Sequence, residues 1–296
     1  MPELPELVVW ARQFRAEIVG KAITAAETPQ PKCLNAPPDE VTAFLTGRGV
    51  KDARERGKWL ILDLAPDGHL LLNLGMGGDF HYRRPGARSA TPSGASSSGA
   101  VPPDTSPLDA APPEKYQFKL IFSDGSDLAL RFSWFGYVHI ARSGELARHA
   151  MTASLGPSPF DPDLDVARFR RMVAARPRRS VKSFLLDQKV LAGIGNVYAQ
   201  DPLWGARLHP DRQLGSLSPA EVDALWASLR GVLERSIAKG GLAYERDLYG
   251  NLGGYGREDY AVAYRTGEPC PRCGAAVQKI KTGATSTHLC PECQKL

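Results

Sequence analysis

The stretch LLDQKVLAGIGN, residues 185–196, decides how the second half of the chain folds. Its apolar residues predict a helix that runs into the turn Gly193-Ile-Gly195-Asn196. The glycines would let backbone amides approach a ligand, and Asn196 is a good N-cap for a helix from Val197 onward. Free amides at a helix N-terminus favour phosphate, although the same pattern also fits a plain corner between two packed helices.

The residues upstream of this stretch are rich in positive charge. Residues 168–182 contain seven arginines and lysines and end at Lys182. Such a run usually forms a solvated face, but beside a turn suited to phosphate it favours contact with a nucleic-acid backbone. The whole chain has a net charge of +5 and a pI of about 8.9, which fits nucleic acid or an acidic partner.

Two further helices are predicted around this segment. A periodic apolar pattern begins at Val166 and is stopped by Pro177. A second helix begins at Ser218, whose spacing to Glu221 is that of a capping box, and Gly240-Gly241 ends it. The second half of the chain is therefore predicted to be helical.

The first half has a different pattern. After a helix that Pro5 opens and Gly20 ends, the sequence alternates as strands do, most clearly at Trp59–Leu64 and His69–Leu74. Residues 85–113 consist mostly of Ala, Ser, Gly, Pro and Thr, so we expect a disordered insertion there. Strand pattern resumes at Gln117, which indicates one β-rich domain on both sides of the insertion.

The C-terminal tail has the pattern of a zinc site. Two C-x-x-C pairs, Cys270/Cys273 and Cys290/Cys293, are separated by sixteen residues. Four thiolates match the tetrahedral geometry of zinc and leave no position for a catalytic water, so one structural Zn²⁺ is predicted. No apolar run has membrane-spanning length and no signal peptide is evident, so we expect a soluble intracellular protein without membrane contact.

Nine short motifs follow one another along the chain. They are MPELPE (1–6), RGKW (56–59), LGMGG (74–78), FG (135–136), LGP (155–157), LDQ with AGIGNVYA (186–199), GG with RD (240–247), GEPC (267–270) and CPECQ (290–294). Together they resemble the formamidopyrimidine-DNA glycosylase and endonuclease VIII family, and they span the chain apart from the insertion.

The resemblance implies an α+β fold in three parts. A catalytic β-sandwich with flanking helices would occupy residues 1–150, a helix–two-turns–helix DNA-binding domain residues 151–264, and a zinc-finger hairpin residues 265–296. It implies a DNA-associated repair enzyme, DNA glycosylase and abasic-site lyase, whose partner is double-stranded DNA containing damaged bases or abasic sites. We expect the protein to act as a monomer.

The resemblance also assigns catalytic roles. Once Met1 is removed, the amine of Pro2 would attack C1′ of the deoxyribose, because an α-amine with a pKa of about 7.7–8.0 is partly free base at neutral pH. Glu3 would protonate the sugar ring oxygen. Glu6 would hold the Pro2–Glu3 backbone, and Lys58 would bind a phosphate next to the lesion.

DNA contacts follow from the same resemblance. Met76 would fill the space left when a base is extruded, which the chemistry requires because C1′ cannot be reached inside the stack. Lys182, Asn196 and Lys281 would contact the DNA, and Asp201 would support them at a position where the family usually has glutamate.

Two departures from the family pattern concern lesion choice. Family members commonly have arginine at the position of Ser133, opposite the extruded base, and at Thr285, at the tip of the finger. Serine is too short to hydrogen-bond an orphaned base, so we expect weak discrimination of the opposite base. These losses motivate an alternative, a weakly catalytic protein that binds damaged DNA. A protein-binding zinc ribbon fits the tail alone.

Overall fold

The computed structural model describes residues 1–86 and 115–296, so the predicted insertion at 85–113 lies almost entirely outside the described residues. The helices and strands follow one another along the chain as α1 (Leu4–Glu17), β1 (Ile23–Glu27), α2 (Pro38–Leu45), β2 (Gly49–Arg56), β3 (Trp59–Ala65), β4 (His69–Asn73), β5 (Asp79–Arg83), β6 (Phe118–Phe122), β7 (Asp127–Arg131), β8 (Tyr137–Ala141), α3 (Val166–Ala174), α4 (Val181–Leu186), α5 (Asn196–Gly205), α6 (Pro219–Ala238), β9 (Gln278–Thr282) and β10 (Thr285–Leu289).

The first half is a sandwich of two antiparallel four-stranded sheets. One sheet has the order β2-β3-β4-β8 and the other β1-β6-β7-β5. Alternate side chains of both sheets face one core, to which β3 contributes Leu60, Leu62 and Leu64. The strands predicted at 59–64 and 69–74 are confirmed within one residue, and so is the α+β fold class.

Helix α1 covers an end of this sandwich. Glu3 is its N-cap, and a capping box joins Glu3 to Glu6. Its apolar face and the C-cap residue pack into the core at five positions: Leu7, Trp10, Ala11, Phe14 and Ile18. The helix ends at Glu17, three residues before the glycine predicted to end it.

The second half is helical and has its own core, formed by α3, α4, α5 and α6. Helix α6 begins and ends as its caps predict. The helix predicted over residues 185–192 is wrong, since α4 ends at Leu186. The chain then turns around Gln188, whose side chain accepts from Gly193 N at 2.9 Å and donates to Ile194 O at 2.6 Å.

The tail forms the β9–β10 hairpin, whose small core contains two cysteines and Val262. The boundaries at residues 150 and 264 stay a prediction. Within the described ranges, 1–86 and 115–296, no helix is long and apolar enough to cross a membrane.

Candidate active site

The Glu3 carboxylate lies against the N-terminus of α5. It accepts hydrogen bonds from Gly195 N at 2.7 Å, Val197 N at 3.2 Å and Tyr198 N at 3.4 Å. A carboxylate is stabilised there by orphan amides and by the helix dipole. Burial raises the pKa of Glu3, whereas nearby Lys58 and the three N–H groups lower it. The site therefore holds a buried carboxyl group on which a proton can reside.

The turn predicted to bind phosphate with free amides is thus occupied by the protein itself. Gly195, not Asn196, is the N-cap of α5, and Asn196 is the first helical residue. The prediction of Asn196 as N-cap is wrong because Glu3 supplies the cap from a distant part of the chain. The half-buried Asn196 amide has its Oδ1 without a partner among the described residues.

Lys58 reaches the same point from the turn between β2 and β3. A Cβ built on Gly195 would lie 2.2 Å from Glu3 Oε1 and 2.6 Å from Lys58 Nζ. A carboxylate and an ammonium group therefore meet over a glycine that has no room for a side chain. Pro2, which precedes Glu3, is buried beside them.

Asn73 connects this point to the loop that carries Met76. Its Nδ2 donates to Lys58 O at 3.0 Å, and its Oδ1 accepts from Gly75 N at 2.9 Å. Met76 is 49% exposed and pairs with Trp134, itself 65% exposed. Sequence reasoning missed Asn73, although an amide that ends an apolar strand was a usable signal.

The loop around Met76 presents an unusual amount of exposed apolar surface. Trp134 O accepts from Met76 N at 2.8 Å, and the next residue, Phe135, is 67% exposed with a φ of +56°. Ser133 is exposed beside them and donates its N–H to Met76 O at 3.2 Å. The weak opposite-base discrimination expected from Ser133 stays a prediction.

Glu6 joins the two halves behind the site. Its carboxylate accepts from Glu3 N at 2.8 Å, Tyr198 Oη at 2.6 Å and Leu242 N at 3.0 Å. The predicted supporting role is consistent with the first contact. Sequence reasoning missed Tyr198, although it lies within the segment AGIGNVYA. The Met1 amino group, 3.8 Å from Glu245 Oε1, also faces the segment after α6.

Asp201 holds the backbone segment that precedes the zinc finger. Its buried carboxylate accepts three backbone N–H groups, from Ala261 at 2.9 Å, Val262 at 2.9 Å and Ala263 at 3.0 Å. Burial raises the pKa of Asp201, while these N–H groups lower it. The contacts fit the supporting role that the resemblance implies.

Lys182 is buried between α4 and the finger. It is 3% exposed, and its ammonium donates to Thr282 Oγ1 and Thr285 Oγ1, both at 2.8 Å, and to Thr287. Burial lowers its pKa to about 8. These contacts fasten α4 to the finger, and the DNA contact expected of Lys182 stays a prediction.

The other predicted cations differ in exposure and pairing. Lys281 is exposed on β9, as a DNA contact requires. In the basic run, Arg170 pairs with Asp223, and Arg179 with Asp187. Part of the run is therefore neutralised within the protein, which limits its share of any contact with DNA.

The four tail cysteines form the zinc centre. Their sulfurs all lie within 4.8 Å of one another, with Cys273 and Cys290 at 3.4 Å and Cys270 and Cys293 at 3.9 Å. Four sulfurs each about 2.3 Å from one zinc lie about 3.8 Å apart, so the cluster fits the ion. This cluster confirms the predicted single structural Zn²⁺.

Three family profiles match the chain. They are the formamidopyrimidine-DNA glycosylase N-terminal domain over residues 1–133, the H2TH domain of the same enzyme over 155–246, and a zinc finger found in FPG and IleRS over 267–296. The profiles follow one another in the order that the resemblance implies.

Relatives match over the full length. Formamidopyrimidine-DNA glycosylase from Chloroflexus aurantiacus is 34% identical over 99% of this chain and 98% of its own, and that from Roseiflexus sp. is 35% identical over all of both chains. A Lactococcus lactis Fpg complex with abasic-site DNA has a TM-score of 0.83 at 28% identity, covering 99% of this chain and 100% of that one. A MutM complex with DNA containing carbocyclic 8-oxo-G has a TM-score of 0.82 at 29% identity, covering all of both.

These matches agree with the carboxylate, lysine and N-terminal proline that the fold brings together, and with the cysteine cluster in the tail. The chain belongs to the formamidopyrimidine-DNA glycosylase family, whose members are DNA glycosylases of base-excision repair with abasic-site lyase activity.

Proposed function

We propose that this protein removes damaged bases from duplex DNA and cleaves the resulting abasic sites with the amine of Pro2 as nucleophile. The observation that carries the proposal is the meeting of Glu3 and Lys58 over Gly195, directly beside the buried Pro2. A nucleophile, a buried carboxyl group with a raised pKa and a cation for phosphate are then within one small site.

The covalent step exchanges the bond between C1′ and the base for a bond between C1′ and Pro2. The Pro2 nitrogen forms a bond to C1′ while the bond from C1′ to the base breaks, and the base leaves with a proton. Glu3 protonates the ring oxygen as the sugar opens, which leaves an iminium cation. Loss of a C2′ proton then breaks the C3′–O bond and releases the 3′-phosphate, and the 5′-phosphate is eliminated in the same manner.

Duplex DNA with a damaged base or an abasic site is the proposed partner. Support comes from the two solved complexes above and from the exposed apolar surface of Met76 and Trp134, which suits insertion into a base stack. We propose that the protein acts as a monomer and that Asn196 and Lys281 contact the backbone. The exposed finger lysine keeps its charge free for phosphate.

Borohydride trapping tests the nucleophile. The mature protein, incubated with an abasic-site duplex and borohydride, should form a covalent complex that carries the DNA on Pro2. Pro2→Gly should slow trapping, and one extra residue before Pro2 should abolish it, because the nitrogen then becomes an amide. Trapping that continues unchanged with the blocked N-terminus would transfer the role to another amine, with Lys58 the first to examine.

A further inference from the structure

A buried hydrogen-bond chain lies behind the N-terminus. The Glu6 carboxylate, 2% exposed, is held by groups from α1, from α5 and from the segment after α6. Only the bond from Glu3 N touches the segment that carries the nucleophile. The remaining two, from Tyr198 Oη and Leu242 N, decide where the carboxylate itself lies.

Tyr198 is the only side chain among these three donors, and it is itself fixed. Its hydroxyl donates to Glu6 Oε1, so it accepts the proton of Ser236 Oγ, 2.6 Å away on α6. Its ring is 1% exposed and packs on Tyr255 with 5.9 Å between ring centroids. The hydroxyl therefore has one available position.

We propose that Tyr198 is a positioning residue of the active site, whose hydroxyl holds the Glu6 carboxylate where it orients the Pro2–Glu3 peptide. The inference rests on the proposed role of Pro2 as nucleophile. It assigns to Tyr198 no contact with DNA. Its action on the reaction passes through Glu6 and the backbone N–H of Glu3.

The charge state of Glu6 gives this arrangement a measurable signature. Burial raises the pKa of Glu6 to about 7 and the nearby Glu3 charge adds to the rise, while the Tyr198 hydroxyl and the two N–H groups lower it. Burial and nearby charges, Glu6 among them, raise the pKa of Tyr260, so that this hydroxyl stays neutral. An ionised Glu6 can accept all three bonds, whereas a protonated one has to give up an acceptor position. Removal of the Tyr198 hydroxyl therefore moves the pKa of Glu6 further up.

The test is the pH profile of borohydride trapping under single-turnover conditions, between pH 6 and 9, on an abasic-site duplex. Tyr198→Phe should shift the acid limb to higher pH and slow trapping at pH 7 on the order of tenfold, the size of one hydrogen bond to a charged group. At pH 9 the rate should return to within about twofold of the wild type, because Glu6 is then ionised in both proteins. The Kd for the duplex should not change.

Tyr255→Phe is the matched control, since it removes a hydroxyl from the adjacent buried tyrosine, which makes no bond to Glu6. Its profile should coincide with the wild type. Glu6→Gln, which cannot titrate, should lose the part of the acid limb that Tyr198→Phe moves. Thermal unfolding of each variant separates a folding defect from a change at the site.

Two outcomes would overturn the inference. One is a Tyr198→Phe profile that overlays the wild type, and the other is equal slowing at every pH, which indicates a structural role alone. Either outcome leaves the proposed function intact as long as trapping still depends on Pro2. Trapping that is independent of Pro2 would instead contradict the proposed function.

Discussion

Gly195 is the position at which any side chain would disturb the active site. A Cβ there would lie 2.2 Å from Glu3 Oε1 and 2.6 Å from Lys58 Nζ, both shorter than non-bonded atoms approach. The φ of Gly195 is −127°, which any residue adopts. The glycine is therefore required by the space around it and not by its backbone conformation.

Gly195→Ala should accordingly reduce abasic-site nicking about a hundredfold, because both charged groups have to move and a displacement of about 1 Å costs that much. Single-turnover nicking of an abasic-site duplex measures the effect. Gly231→Ala is the control, since its Cβ would meet only the end of Arg235 at 3.4 Å. Within α6 it should add about 0.5–1 kcal/mol of stability and leave nicking unchanged. Wild-type activity in Gly195→Ala would show that Glu3 and Lys58 do not act from these positions.

Single residues were predicted from the sequence more reliably than their partners. Glu3 and Lys58 were identified by resemblance, but the contact between Glu3 and Gly195 joins positions 192 residues apart, which no local pattern contains. Asn196 has the chemistry of an N-cap, and the prediction failed because a carboxylate from elsewhere in the fold binds the same amides more strongly. Nor did the sequence indicate that three threonine hydroxyls from the finger surround Lys182.

At the scale of elements, the bounds of a helix could be predicted where the sequence contains the signals for both of its ends. Helix α6 has a capping box at Ser218 and glycines at its end, and its bounds follow. The end of α4 depends on hydrogen bonds made by the Gln188 side chain, which apolar periodicity does not reveal. The docking of β9–β10 on α4 through Lys182 is likewise a tertiary contact.

Lys182 and Lys281 should differ in how they affect DNA binding. Lys281→Ala should weaken binding and reduce the slope of log K against log salt by about 0.9, the share of one phosphate. Lys182→Gln keeps a donor for the threonines and removes the charge, so its slope should equal that of the wild type. Fluorescence anisotropy with an abasic-site duplex at several KCl concentrations measures both. A reduced slope in Lys182→Gln would show that Lys182 binds a phosphate. An unchanged slope in Lys281→Ala would show that Lys281 does not.

At the scale of the molecule, the N-terminal segment belongs to both halves. Leu4 packs in the core of the helical half while Leu7 packs in the core of the sandwich. Trp10 Nε1 donates to Arg246 O at 3.0 Å, which ties α1 to the segment after α6. Composition and periodicity predicted two halves with different structure, but they did not reveal these contacts between the halves.

Two buried histidines of the first half are in contact with each other. His139 in β8 has its Nδ1 2.9 Å from Nε2 of His149, and His149 Nδ1 is 2.9 Å from Thr152 Oγ1. Both imidazoles pack against Trp59. Burial, with His149 nearby, lowers the pKa of His139 to about 4, and burial also lowers the pKa of His149. The folded protein therefore holds both rings neutral at pH values where the unfolded chain binds protons.

Acid should consequently weaken the fold through this pair. A histidine with a depressed pKa contributes its full stability above pH 6.5, and the contribution is lost as the pH falls from 6.5 towards 4. For His139 alone the loss between pH 7.5 and pH 5 is about 2 kcal/mol.

The raised pKa of Glu6 has the opposite effect, because it makes acid stabilise the folded protein. Glu6 is present in both the wild type and His139→Phe, so its contribution cancels when the two proteins are compared. Urea unfolding at both pH values should show that His139→Phe loses about 2 kcal/mol less than the wild type on acidification. An equal loss in wild type and His139→Phe would mean that His139 titrates normally in the folded protein and that acid acts elsewhere.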